Sequence, residues 1–168
     1  MIVAVLTLER NDDPDKKRKE KERMEAYQKK MGRIFRLEFK KGDSLLGELS
    51  NFARKENIKE ASLFVLGAIG DGHITTGFIS LKETEKGRDS NIRNLGEKRE
   101  CLGLGNLTWP AKKPLAIKDP VPWDEPQPYP HLHLLFGPDV GEDQKELLTG
   151  HLHKGIASGV TVLLYELV

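Results

Sequence analysis

Short apolar segments with alternating or β-branched character, separated by connections too brief for a crossover helix, most restrict the folds open to this chain. Arg33 to Phe39 alternates, with Ile34, Arg36 and Glu38 on one face and Phe35, Leu37 and Phe39 on the other, which is the period of a strand. Ile2–Leu8, Ala61–Ile69, His73–Leu81, His131–Phe136, Leu147–His153 and Gly159–Leu167 read as further strands, and Ile92–Leu107 holds one or two more. Gly70-Asp71-Gly72 is read as the turn between two of them. One good amphipathic helix opens after Gly42-Asp43-Ser44 and runs to about Glu56, with an apolar stripe of Leu45, Leu46, Leu49, Phe52 and Ala53. Parallel neighbours need a connection of a dozen residues or more, usually helical, and these gaps do not supply it. The expected class is α+β, a mostly antiparallel sheet flanked by helices.

At 168 residues the chain suits one domain, or one domain with an arm. A chain of this size buries roughly 70% of its unfolded surface, so a core needs no covalent staples. The composition, 38% hydrophobic and 32% charged, is that of a globular protein with an extra polar segment. No apolar run reaches the roughly 18 residues of a membrane span, and Met1–Leu8 lacks the basic start and small-residue cleavage site of a signal peptide. Cys101 is the single cysteine, which excludes an intramolecular disulfide and a thiolate zinc cluster and suits a cytoplasmic, reducing compartment.

Charge divides the chain in two. Glu9 to Arg33 holds ten Lys/Arg against seven Asp/Glu, whereas the rest holds seventeen against nineteen. Lys16 to Met31 reads as a helix laced with opposite-charge i,i+4 pairs such as Lys16–Glu20 and Glu25–Lys29, with only Met24, Tyr27 and Met31 as apolar anchors. Residues 1–32 are therefore expected to form a strand and a charged helical arm, and 33–168 the domain proper. Attraction to a nucleic-acid backbone would have to come from the arm or a local patch. Within the domain, Pro110 to Pro130 carries seven of the nine prolines, with Trp109, Trp123 and Tyr129 nearby. A stretch of that length without strand or helix pattern is either a surface insertion or a flap that leads into His131.

Four of the five histidines occupy two identical tripeptides, His131-Leu132-His133 and His151-Leu152-His153. On a strand, residues i and i+2 project from one face about 6.5–7 Å apart. Two imidazoles so placed can converge on one ion at metal–nitrogen distances of about 2.0–2.1 Å, while the intervening leucine points into a core. A third imidazole from a neighbouring strand would complete three ligands and leave a position open, as in a catalytic zinc site. Nitrogen ligands favour zinc, nickel, cobalt, copper or iron over magnesium or calcium. The bland alternative is polar surface on two strands. His73, after Gly-Asp-Gly, is a weaker candidate. The run Gly67 to Gly72 lacks the Lys-Ser/Thr of a phosphate loop.

Four segments together resemble a known family. They are Arg33–Phe39 with Gly42-Asp43 and the following helix, Leu63–Gly70, Glu100–Leu107, and His131-Leu-His133 followed by Gly150-His151-Leu152. Their order and spacing are similar to the plant and prokaryote conserved domain, abbreviated PPC, over about Arg33 to Val168. The resemblance implies an α+β fold, a homotrimer, and a metal, zinc first, on His131, His133 and His151. It implies a DNA-associated or regulatory role by analogy with plant members. The fold is also similar to that of acetolactate decarboxylase, which holds zinc on three histidines. Three departures stand out. Thr149 precedes Gly150-His151 where the family has a second glycine, His153 is an addition, and no Arg-Gly-Arg-Pro of an AT-hook occurs.

Two functions follow as expectations. The first is a metal-containing trimer that regulates or associates with DNA. The second is a metal-dependent enzyme on a small carbonyl or ester substrate, since an open metal position polarises a carbonyl or lowers the pKa of a bound water to about 7. An acid/base partner would come from Glu100, Asp71 or Tyr129, with His153, His73 and Glu100 as surrounding groups and His153 as a proton shuttle.

Overall fold

The computed structural model describes residues 26–78, 90–96, 98–114, 123, 125–137 and 147–168. The N-terminal strand, most of the charged arm, the turn 82–89 and the centre of the proline-rich stretch lie outside the described residues. The elements are β1 (Met31–Phe39), α1 (Leu45–Glu56), β2 (Ala61–Phe78), β3 (Ser90–Asn94), β4 (Arg99–Thr108), β5 (Tyr129–Phe136) and β6 (Leu148–Leu167). Every strand pairing is antiparallel. The α+β expectation holds, with one helix among the described residues.

The sheet runs β1-β6-β5-β4-β2-β3, and β6 also pairs with β2. That extra pairing closes β2, β4, β5 and β6 into a ring, leaving β1 and β3 as edges. Closure is possible because β2 and β6 are long, 18 and 20 residues. Each crosses its neighbours at both ends. Here the turn expectation is corrected: Gly70-Asp71-Gly72 lies inside β2, and Leu147–His153 and Gly159–Leu167 belong to one strand. Gly70 sits in a bulge, whereas Gly72 pairs regularly with Gly155. The β2–β6 register shifts between Gly67 and Ile69, between Ile69 and Asp71 and between His73 and Ile74, and such bulges bend and twist a strand. Gly159 sits at φ +116, within the first of these irregularities. A side chain there would be strained.

Alternation assigns the two faces. Leu63 and Val65 of β2, Cys101 and Leu107 of β4, Leu132, Leu134 and Phe136 of β5, and Leu152, Val162 and Leu164 of β6 are buried. With Leu45, Leu49 and Ala53 of α1 they form one core. The helix stops at Asn57, in the left-handed conformation, whose N–H caps Ala53 and Arg54 carbonyls. Phe35 and Phe52 meet edge to face at 5.1 Å, tying β1 to α1.

Residues 26–30 are not helical, and Met31 opens β1, so a helix reaching Met31 is ruled out. Lys30 N–H donates to the Val168 carbonyl at 2.8 Å and Val168 N–H to the Lys30 carbonyl at 2.9 Å. Pairing with the end of β6 has overridden the local helical pattern. At the other flank Trp109 Nε1 donates to the Ile58 carbonyl at 2.7 Å, and Trp123 Nε1 to the Pro110 carbonyl at 3.0 Å. Trp109 thus ties the start of the proline-rich stretch to the segment after α1, and Trp123 is held back against Pro110. No helix of the described residues is long and apolar enough to cross a membrane.

Candidate metal centre

β5 and β6 pair His133 directly with His151. His131 and His133 project from the same side of β5, away from the buried Leu132 and Leu134. One ligand atom from each of His131, His133 and His151 lies within 4.8 Å of the other two, and the Nε2 atoms of His131 and His133 are 3.1 Å apart. Ring centroids separate by 5.1 Å for His131–His133, 4.6 Å for His131–His151 and 5.5 Å for His133–His151. Three imidazoles so disposed are able to share one ion.

Their environment suits that use. His151 is only 8% exposed. Burial first, and then the neighbouring His153, His131 and His133, push its pKa down to about 4. Burial and His133 lower that of His131 as well. A metal needs the neutral ring, and desolvation supplies it at two of the three positions. Glycines let the backbone approach behind the cluster. A Cβ on Gly105 would stand 2.2 Å from the His131 carbonyl oxygen, and one on Gly103 2.3 Å from that of His133. β4 therefore carries glycine opposite Leu132 and Leu134, the core-facing residues that alternate with His131 and His133 on β5.

The other candidates fall into different places. His153 lies beside His151, with ring centroids 4.6 Å apart. Its Nε2 is hydrogen-bonded to Thr75 Oγ1, and it is not a member of the triad. His73 pairs with Asn94 and Lys154 in the ladders of β2. Asp71 is ion-paired with Lys154 at 3.0 Å, whose ammonium holds the carboxyl below its usual range. Glu100 is exposed on β4, four residues before Leu104, the partner of His133. At the rise of a strand that is about 13 Å away. Tyr129 alone of the three acid/base candidates neighbours the triad. Its ring lies 5.8 Å from His131, its hydroxyl is buried without a hydrogen-bond partner among the described residues, and burial raises its pKa.

Thr75 was not legible as a site residue. A threonine within a strand carries no local signal, and only the β2–β6 register brings it opposite His151. The same holds for the apolar surface beside the triad. Phe64, Leu66, Leu102, Leu104 and Leu135 are all exposed. They stand in contiguous rows, Phe64–Leu104–His133–His151 and Leu66–Leu102–Leu135–Thr149.

Among solved structures, the fold is similar to that of a plant- and prokaryote-conserved (PPC) protein from Pyrococcus horikoshii. The TM-score is 0.64 at 22% identity, over 86% of this chain and 85% of that one. It is similar to a metal-containing protein from Archaeoglobus fulgidus, with TM-score 0.65 at 21% identity over 86% of each chain. A third, named "Putative DNA-binding protein", from Ralstonia eutropha JMP134, has TM-score 0.55 at 19% identity over 79% of this chain and 76% of that one. At these identities the likeness is one of fold. No curated protein matches the chain. The Plants and Prokaryotes Conserved (PCC) domain model does match, over residues 26–168, which takes in β1 to β6, α1 and all three imidazoles of the triad, and the chain belongs to that family.

Proposed function

We propose that this protein binds a divalent transition metal, zinc first, through His131, His133 and His151, and that it works as a homotrimer. The observation that carries the reading is the meeting of three imidazoles from two strands, with no thiolate or carboxylate in the set. That donor set suits zinc and leaves one tetrahedral position for a further ligand. A fold neighbour described as metal-containing supports it. Elemental analysis of purified protein, with anomalous scattering at the metal edge, tests it. One zinc per chain, lost in His131→Ala, is expected, and a protein that neither carries nor takes up a transition metal removes the reading.

Self-association is assigned to the apolar rows beside the triad. Five large side chains exposed on one face form the kind of contiguous patch that marks an interface, and the family resemblance supplies the second copy as occupant. Leu104→Glu, at the most exposed of the five, is expected to lower the mass seen by light scattering from three chains to one. An unchanged mass sends the trimer contact elsewhere. The lone thiol, Cys101, is buried, and its pKa is pushed up to about 12. An inert thiol of that kind fits a cytoplasmic protein.

The DNA-associated, regulatory role draws support from the neighbour's name and from the excess of ten Lys/Arg over seven Asp/Glu between Glu9 and Arg33. Each phosphate that the chain neutralises adds about −0.9 to the slope of log affinity against log salt. A slope of about −3 or steeper per arm is expected, and a slope near zero removes the role. The enzymatic alternative is favoured by one observation, the hydroxyl of Tyr129 next to the triad, which has no hydrogen-bond partner among the described residues. A zinc-type ion would supply Lewis acidity toward a carbonyl or ester oxygen, and Tyr129 would hold that substrate by a hydrogen bond.

A further inference from the structure

His153 repeats the chemistry of His151 two residues on, yet it stands outside the triad. It is close to one member of the triad, His151, but its ligand atoms do not come within 4.8 Å of those of all three. Its ring lies 4.6 Å from that of His151, the same separation as between His131 and His151. A fourth imidazole would close a tetrahedral ion and remove the position that an external ligand needs. Two features hold it away. In the β2–β6 ladder His73 pairs with Lys154 and Ile74 with Leu152, so His153 is the extra residue of a bulge, and a bulge re-aims its side chain. In addition, the Nε2 of His153 is engaged by Thr75 Oγ1. Thr75 is buried, at 6% exposure, and sits opposite His151 on β2. The restraint therefore comes from a different strand than the one that carries both histidines.

We propose that Thr75 is a positioning residue that holds His153 off the metal, so that the centre keeps three imidazoles and one exchangeable position. This rests on the triad holding the ion. His153 then acts as a guard on that position, entering the coordination sphere only when the threonine hydroxyl lets it go. The ligand admitted in its place is a small anion or an oxygen donor of the size of one imidazole nitrogen's share of the sphere.

Cobalt(II) is the probe, loaded into the full-length wild type and its variants. Paramagnetically shifted exchangeable imidazole N–H signals count the coordinated rings, and an azide titration of the visible bands reads the open position. Three shifted signals are expected in the wild type and four in Thr75→Val, with azide affinity falling about tenfold or more. Thr75→Ser keeps the hydroxyl and is expected to behave as the wild type. Thr75→Val combined with His153→Gln returns to three signals and regains azide binding, which separates coordination by His153 from a general disturbance of β2. Should Thr75→Val not fold, Thr75→Ala reads the same contrast. Three signals with unchanged azide affinity in the variant overturn the proposal, and so do four signals in the wild type. A wild type that takes up no cobalt, or takes it up equally after His131→Ala, overturns the metal-centre reading and this one with it.

Discussion

Replacing His151 by alanine is expected to weaken zinc binding at least a hundredfold, to judge from the roughly 10–100-fold cost of losing even a residue that only orients a ligand. The reason is the geometry of the cluster. His133 and His151 face each other across one register position, and His131 lies two residues along the same strand. Removing the ring from β6 leaves two nitrogens on a single strand, which hold an ion no better than an exposed His-x-His pair. His131→Ala is expected to act likewise, because its Nε2 is the near neighbour of His133 Nε2 at 3.1 Å. His73→Ala, on β2 and outside the triad, should leave affinity unchanged. Competition against a chromogenic chelator measures all three. Wild-type affinity in His151→Ala would place the ion elsewhere and dissolve the proposed centre.

Acidifying the metal-free protein should cost it up to about 3 kcal/mol of stability between pH 6.5 and pH 4 through His151 alone. In the folded chain this imidazole stays neutral until about pH 4, because it is buried and crowded by three other rings. In the unfolded chain it takes up a proton near the ordinary value of 6.5. Between those limits the unfolded state binds more protons, so stability falls as pH falls, and this contribution is flat above and below the window. His131, lowered in the same direction, adds to the trend. Urea unfolding at pH 7 and pH 4.5 should show the wild type losing more stability than His151→Gln, whose side chain does not titrate. Equal losses would mean that burial does not hold His151 neutral. Saturating zinc at pH 7 should stabilise the folded state further, by about 4 kcal/mol at a thousand times the dissociation constant.

Much of the fold could be read along the chain where the pattern is local. The alternation in Arg33–Phe39 marks β1 with its boundaries nearly right, and the Leu45–Ala53 stripe marks α1, whose Leu45, Leu49 and Ala53 are fully buried. In both His-Leu-His tripeptides the leucine enters the core, as period two requires, and in the second His151 is buried beside it. Glycine was the weak point. Gly70 and Gly72 look like a turn in any local window, but in the fold they sit within β2, and the Gly72 carbonyl accepts from Leu95 N–H. A residue that tolerates a turn tolerates a bulge for the same reason, the missing Cβ, and no neighbouring residue distinguishes the two.

Side-chain alternation tells which way each imidazole faces, and it makes His131, His133, His151 and His153 equivalent. Pairing distinguishes them. The ring closed by β6 against both β2 and β5 sets the register that brings His133 opposite His151. The bulge at His153 then breaks the equivalence and hands that imidazole to Thr75. Period two is a property of a single strand and survives any choice of neighbour. Register is a property of two strands far apart in the chain, chosen by which alignment buries Leu132, Leu134 and Leu152 together, and so the centre came into view only once the strands were paired.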